Sequence, residues 1–395
     1  MLLTEIRQQA ADRLTRTIAD RRHLHANPEL SFSENETSAF VKARLDELGI
    51  HWVAMADTGV VGTITGTRTS DRLVALRADM DALPITELNS TAYTSGRPGV
   101  MHACGHDAHT SSLLATAAIL QSLRDQWAGT VRLIFQPAEE KLPGGASLMI
   151  RDGVLSNPAP MAVIGQHVMP SVPSGKIAMR GGQLMASMDE IGVAVHGKGG
   201  HGAMPHLLVD PVLIAAHLIV ALQQIISRTN NPVTPGVLSF GRVIADGAIN
   251  VIPDTVYLKG TFRTVDENWR YAAHEKMKKM AIQLAAAMGG ACDFEVICGY
   301  PSLQNDERLT GDLGRYAADY LGKANVIPTD PMMIAEDFAY YGRSAPGCFY
   351  FLGTGNEKKN SLMPLHNPRF DIDEDALEHS TGLMAWLAIK QLGNA

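Results

Sequence analysis

The chain has 395 residues, too many for most single hydrophobic cores, so two domains are expected. Hydrophobic residues make up 46% and charged residues 19%, the balance of an ordinary soluble globular protein. A net charge of -7 argues against a nucleic-acid surface, and four scattered cysteines (Cys104, Cys292, Cys298 and Cys348) argue against a disulfide framework and for a reduced, cytoplasmic setting.

The first twenty residues are charged throughout and read as an amphipathic helix rather than a signal peptide. No run of about 18 apolar residues occurs, so no membrane span is expected. Residues 33–49 predict a helix with Ser33 and Glu36 as a capping box and Gly49 as its stop. Strands are expected at 72–81, 130–140 and 161–168, with an Ala- and Leu-rich helix at 105–123. Strands alternating with helices up to about residue 180 imply an α/β layer fold. From about 185 to 299 the order becomes strand, helix (opening on Asp210-Pro211), strand, strand, helix, strand. That β-α-β-β-α-β pattern is a ferredoxin-like unit, read as an insertion. After 300, helices at 307–322 and 373–393 flank a strand at 347–355, which completes the first sheet. The expected domains are therefore 1–184 and 300–395 together, with 185–299 inserted.

The stretch "MHACGHDAHT" (101–110) gathers three histidines, a cysteine and an aspartate into eight residues, in a chain with 14 His and 4 Cys. Cys104 and His106 are a thiolate and an imidazole just ahead of a helix, both suited to zinc-like metals. Potential co-ligands recur at strand ends: Asp79 and Asp81, Glu139 and Glu140, His167, and His366 in the loop after the last strand. Ligands of an open α/β sheet gather outside the carboxyl ends of its strands, so these groups can converge. In Glu139-Glu140, one carboxylate can bind metal while its neighbour acts as general base. That pair suits metal-assisted amide hydrolysis.

Nine motifs carry a resemblance over nearly the whole chain: "LRADMDALP" (76–84), "MHACGHDAHT" (101–110), "FQPAEE" (135–140), "GQHV" (165–168), "GKGGHGAMPH" (197–206), "INVIPD" (249–254), "GTFRT" (260–264), "AEDFAYYG" (335–342) and "PLHNPRF" (364–370). With them, the sequence resembles the M20 family of metallopeptidases and amidohydrolases. It is most similar to the branch of hippurate hydrolase, N-acyl-amino-acid amidohydrolases and auxin-conjugate hydrolases. The resemblance implies an α/β catalytic domain with a mixed sheet flanked by helices, and an inserted ferredoxin-like α+β dimerisation domain. It implies two divalent metal ions per subunit (Zn, Mn, Ni or Co) held by Cys104, His106, Glu140, His167 and His366. Glu139 matches the catalytic base that activates a bridging water. Many relatives have His-x-Asp where this chain has Asp79-Met-Asp81; Asp81 is then a supporting group and Asp79 stays outside the ligand set. His201 matches the oxyanion donor, while Asn250 and Arg263 match positions that hold the substrate carboxylate. In the family, His201 and Asn250 can serve the site of the other subunit.

The resemblance implies hydrolysis of N-acyl amino acids or short peptides by a homodimer formed through the inserted domain, while charge and hydropathy lead to no nucleic-acid or membrane partner being expected. A dipeptidase, or an N-carbamoyl or N-acetyl-diamino-acid hydrolase, would use the same residues. A catalytically silent binding protein would be expected to have lost some of them. His102, His109 and His206 read as capping, supporting or rim residues, and Cys292, Cys298 and Cys348 as strand core.

Overall fold

The computed structural model describes residues 1–359 and 361–393. It divides into two compact units, Met1–Leu184 with Gln304–Asp330 and Asp337–Ala395, and Met185–Leu303 with Pro331–Glu336.

The first unit is built on a mixed eight-stranded sheet. Its strands lie in the order His51–Met55, Gly59–Thr65, Ala128–Gln136, Arg68–Asp79, Ala162–Pro173, Gly347–Gly355, Ile177–Met179 and Val326–Pro328. The four central strands, from Ala128–Gln136 to Gly347–Gly355, are parallel. They are apolar nearly end to end: Val74, Leu76, Leu133, Phe135, Ile164 and Tyr350 are all buried. A parallel sheet covered on both faces demands such runs, because neither face meets water. The helices Leu2–Ala26, His106–Ser122 and Ala376–Gln391 pack together against it.

The helix predicted from a Ser33–Glu36 capping box starts instead at Asn35, with no side-chain cap. Glu36 pairs with Arg97 at 2.6 Å. The buried Glu34 turns inward, accepting from Phe32 N (2.9 Å), Ala138 N (2.8 Å) and Thr58 Oγ1 (2.7 Å). Its carboxylate braces the turn before Glu139 and Glu140.

The second unit has the ferredoxin-like arrangement. Four antiparallel strands lie in the order Gly236–Ile244, Thr255–Thr264, Asp189–His196 and Ala291–Cys298. Helices Pro211–Gln224 and Glu267–Ala287 pack on the sheet around Val193, Val195, Leu218, Phe262 and Met277. Asp210 caps the first of them, accepting from Val212 N and Leu213 N. Of the three cysteines read as strand core, Cys348 is buried and Cys292 partly buried, but Cys298 is exposed, as the last residue of an edge strand.

One segment departs from the expectation of no membrane span: Pro211–Thr229 is long and apolar enough to cross a bilayer by length and composition. Ile214, Leu218, Leu222 and Ile225 on this segment belong to the unit's own core. The opposite side leaves Leu213 52% and Val220 74% exposed. The segment is thus apolar on two faces, one packed within the unit and one uncovered in the single chain.

Asp189 closes the second unit. Its carboxylate accepts from Arg270 Nε (2.9 Å), His274 Nε2 (2.7 Å) and Gly299 N (3.1 Å), joining the first strand, the second helix and the end of the last strand. Burial pushes its pKa up, but Arg270 and His274 more than reverse this and hold it below the usual aspartate range. Replacing Asp189 with Ala removes the buried partner of Arg270, leaving it the more exposed carboxylate of Glu267 at 3.1 Å, and should cost about 3–5 kcal/mol in urea unfolding at neutral pH. Because the folded-state pKa is depressed, the wild-type advantage is full above about pH 4 and shrinks as pH falls through the folded value.

Candidate metal centre

The parallel strands deliver the candidate donors to one rim of the first unit. Arg68–Asp79 ends at Asp79, with Asp81 two residues on. Ala128–Gln136 runs into Pro137-Ala138-Glu139-Glu140, and Ala138 takes a left-handed φ of 50° that turns the acid pair. His167 lies within its strand rather than at the end, because Ala162–Pro173 is long. It still reaches the rim: the pairing partner Arg68–Asp79 stays in register only as far as Arg77 opposite Gly165. Gly105 separates Cys104 from His106 at a φ of +80°, and a Cβ there would stand 2.4 Å from Val168 Cγ2. His366, itself at φ 62°, donates its backbone N–H to Ala103 O at 2.8 Å, one tie between its loop and the Cys104 turn.

The donor atoms form overlapping groups: Cys104 with His106 and His167, Cys104 with Glu140 and His366, and His106 with Glu139 and Glu140, each within 4.8 Å. Cys104 Sγ lies 3.3 Å from His167 Nε2, and His366 Nε2 lies 3.3 Å from Glu140 Oε1. His167 Nδ1 donates to Val168 O at 2.7 Å, which leaves Nε2 with its lone pair toward Cys104. Burial, helped by the neighbouring His109, holds the His167 pKa well below the ordinary imidazole value.

Asp81 sets most of this geometry. Oδ1 lies 3.2 Å from His106 Nδ1 and accepts from Glu139 N at 3.0 Å. Oδ2 accepts from Ser31 Oγ at 2.6 Å and Glu140 N at 3.0 Å. One carboxylate therefore orients an imidazole and both members of the acid pair. Asp79 pairs with Arg77 Nη1 at 2.8 Å and His109 Nδ1 at 2.6 Å, and its Oδ2 lies 3.5 Å from His106 Nε2, so it also forms a candidate donor group with His106 and His109. His109 Nε2 in turn accepts from Val168 N at 2.9 Å, so both its nitrogens are used within the protein.

The electrostatics call for a cation. Burial drives the Cys104 thiol well above its usual pKa, and Glu140, Glu139 and Asp79 push the same way. Burial pulls His106 down, but Asp79, the hydrogen bond to Asp81 and Glu140 outweigh it and raise His106 to about 10. His106 Nε2 and Glu140 Oε1 are both buried without a hydrogen-bond partner. A divalent ion meets each of these conditions: it takes up the orphaned lone pairs, offsets the acids and stabilises the thiolate. One thiolate, three imidazoles and a carboxylate fit zinc-like metals.

The second unit carries the other predicted residues. His201 lies on a two-stranded ribbon, paired with Val251, and Asn250 is the turn residue just before that strand, its O accepting from Gly202 N at 2.8 Å. Both side chains are exposed. Arg263 is half-buried on Thr255–Thr264, and that burial lowers its pKa.

The supporting residues Ser31, Glu34 and Arg77 went unnoticed in the sequence. Their roles depend on partners 50 or more residues away (Asp81, Ala138, Gln136), and no local motif announces them.

Residues 75–390 match Peptidase family M20/M25/M40. The chain belongs to this family, a class of hydrolases. Among individual proteins, it is 43% identical over 361 residues to the N-acetyl-L-cysteine deacetylase of Bacillus subtilis (strain 168), covering 91% of this chain and 84% of that protein. It is 38% identical to IAA-amino acid hydrolase ILR1-like 5 of Arabidopsis thaliana, covering 94% and 86%. The crystal structure of the Bacillus subtilis YXEP protein, a dinuclear metal binding peptidase of the M20 family, superposes with a TM-score of 0.81 at 36% identity, covering 97% and 99%.

Replacing Asp81 with Ala should weaken binding of Mn²⁺ or Zn²⁺ by about 10–100-fold in calorimetric titration of metal-stripped protein. The same change leaves two buried N–H groups without acceptors and should lower unfolding free energy by about 2 kcal/mol or more. An unchanged metal affinity would remove Asp81 from the site.

Proposed function

We propose that the protein is a two-metal amidohydrolase that cleaves the amide bond of N-acyl amino acids, giving a free amino acid and a carboxylic acid. The observation that carries this reading is the pair of donor groups that share Cys104, with Glu139 in a third group beside them. Cys104, His106 and His167 would hold one divalent ion, and Cys104, Glu140 and His366 the other. Zn, Mn, Ni and Co all suit this donor set. Such ions, when bound, polarise a carbonyl and lower the pKa of water toward neutrality.

The chain's own groups divide the remaining work. Glu139 accepts a proton from the attacking water and returns it to the departing amine. Asp81 keeps His106 and the acid pair aimed while that proton moves. His201 donates to the oxyanion that develops on the carbonyl. Arg263 grips the free carboxylate of the substrate with its planar fork, and Asn250 adds a further donor. The deacetylase and the IAA-amino acid hydrolase are named for acetylated and conjugated amino acids, which supports the N-acyl reading.

We further propose a homodimer formed through the second unit. The uncovered face of Pro211–Gln224, with Leu213 and Val220, lies on the same unit as the sheet-edge strand Gly236–Ile244, where Val237 and Val243 are exposed. A second copy would bury both the apolar stripe and the open strand edge.

Two measurements test these readings. Glu139→Ala should keep two metal ions per chain by elemental analysis while kcat on the best N-acyl amino acid falls by about 10²–10⁴-fold. Full turnover by that variant would sink the mechanism, and a panel in which only dipeptides are cleaved would sink the N-acyl assignment. Val220→Glu should convert a dimer into a monomer in sedimentation equilibrium. A wild-type monomer would refute the dimer.

A further inference from the structure

We propose that Arg21 is a positioning residue for the metal centre: its guanidinium ties the Cys104–His106 turn to the loop that carries His366. This rests on the two-metal reading above. Arg21 lies on the N-terminal helix Leu2–Ala26, and its side chain is fully buried. Its Nε donates to Asp107 Oδ2 at 2.7 Å, and Asp107 directly follows His106. One terminal nitrogen donates to Asp371 Oδ1 at 2.7 Å, and the other to Glu374 Oε1 at 3.2 Å. Asp371 lies five residues after His366. A single planar group therefore spans both segments.

The neighbouring groups complete the bridge. His25, one turn after Arg21, places Nδ1 2.8 Å from the same Asp107 oxygen and Nε2 3.1 Å from Glu87 Oε1. Glu87 also accepts from Asn89, which donates to Phe370 O at 3.0 Å in the His366 loop. Tyr93 donates to the second oxygen of Asp371 at 2.7 Å. Arg21, His25 and Tyr93 thus reach the same two segments from one side.

The physical case for positioning over plain stability has two parts. A buried ionic cluster must offset the desolvation of every charge in it, and apolar replacements are often as stable or more so. Such a cluster is therefore a poor stabiliser but an effective means of fixing directions. The His366 loop also needs fixing: the His366 side chain is 53% exposed, and among the described residues its hydrogen bond to the Cys104 turn is the backbone one from His366 N to Ala103 O. A donor that drifts costs affinity for the ion it helps to hold.

Calorimetric titration of the metal-stripped full-length protein with Mn²⁺ and with Zn²⁺ tests this. Arg21→Met and Asp371→Asn should each weaken at least one binding step by about 10–100-fold. Arg21→Lys, which keeps the charge but loses the fork, should fall between Met and wild type. Arg7→Met is the control for a merely structural role, because among the described residues Arg7, on the same helix, bonds to the carbonyls of Asp319 and Tyr320 and lies over the Tyr320 ring, away from the donor segments. It should lower the melting temperature and leave metal affinity unchanged. Folded Arg21→Met and Asp371→Asn that bind both ions as tightly as wild type would overturn the proposal. If Arg21→Met does not fold, Asp371→Asn decides, since its carboxylate is at the partly exposed end of the cluster. A wild-type protein that takes up no metal would refute the two-metal reading instead.

Discussion

The carboxylate of Asp81 is the constraint on which the candidate centre depends. Fully buried, it accepts from the backbone of both Glu139 and Glu140 while it faces His106 Nδ1 and Ser31. A side chain that binds two successive peptide N–H groups fixes the turn that holds them. Because the same carboxylate orients an imidazole, the acid pair and His106 are set by one rigid group. Glu34 supports that turn through Ala138 N, one residue earlier. The left-handed Ala138 is the backbone cost of aiming two adjacent carboxylates at one rim.

Around that frame the charges do not balance within the protein. Asp79, Asp81, Glu139 and Glu140 crowd one buried region with Cys104 and three imidazoles. Arg77 answers Asp79 and Asp337, and His109 spends both nitrogens on Asp79 and Val168. His106 Nε2 and Glu140 Oε1 remain buried without hydrogen-bond partners, an arrangement folding alone would not favour. The family's hydrolytic chemistry gives this imbalance a purpose, since such a pocket attracts divalent cations.

The two units carry different candidate groups. The first places the candidate metal donors at the strand ends of a parallel sheet. The second presents His201 on a short ribbon, Asn250 in the turn beside it and Arg263 on a sheet strand. Pro211–Thr229 is apolar on two faces: one builds the unit's core, and the other leaves Leu213 and Val220 exposed in the single chain.

Much of this was legible in the sequence. Alternating strand and helix patterns announced the sheet, and the β-α-β-β-α-β order announced the inserted unit, because hydrophobic periodicity and cap residues act locally. The spacing Cys-Gly-His and the adjacent Glu139-Glu140 pointed to candidate donors by residue type, and the fold brings their donor atoms together. Tertiary structure decided how those donors are held. Ser31, Glu34 and Arg21 carry no local signal, because each matters through a partner brought close only by folding. The Ser33–Glu36 box failed for the same reason: the site recruits Glu34 and Arg97 recruits Glu36, and such long-range partners outweigh a local cap. Sequence alone determined which chemistry-bearing residues the chain possesses and the elements that carry them. Only the fold decided that Cys104 stands in two donor groups at once, because that depends on where strands distant in sequence end beside one another.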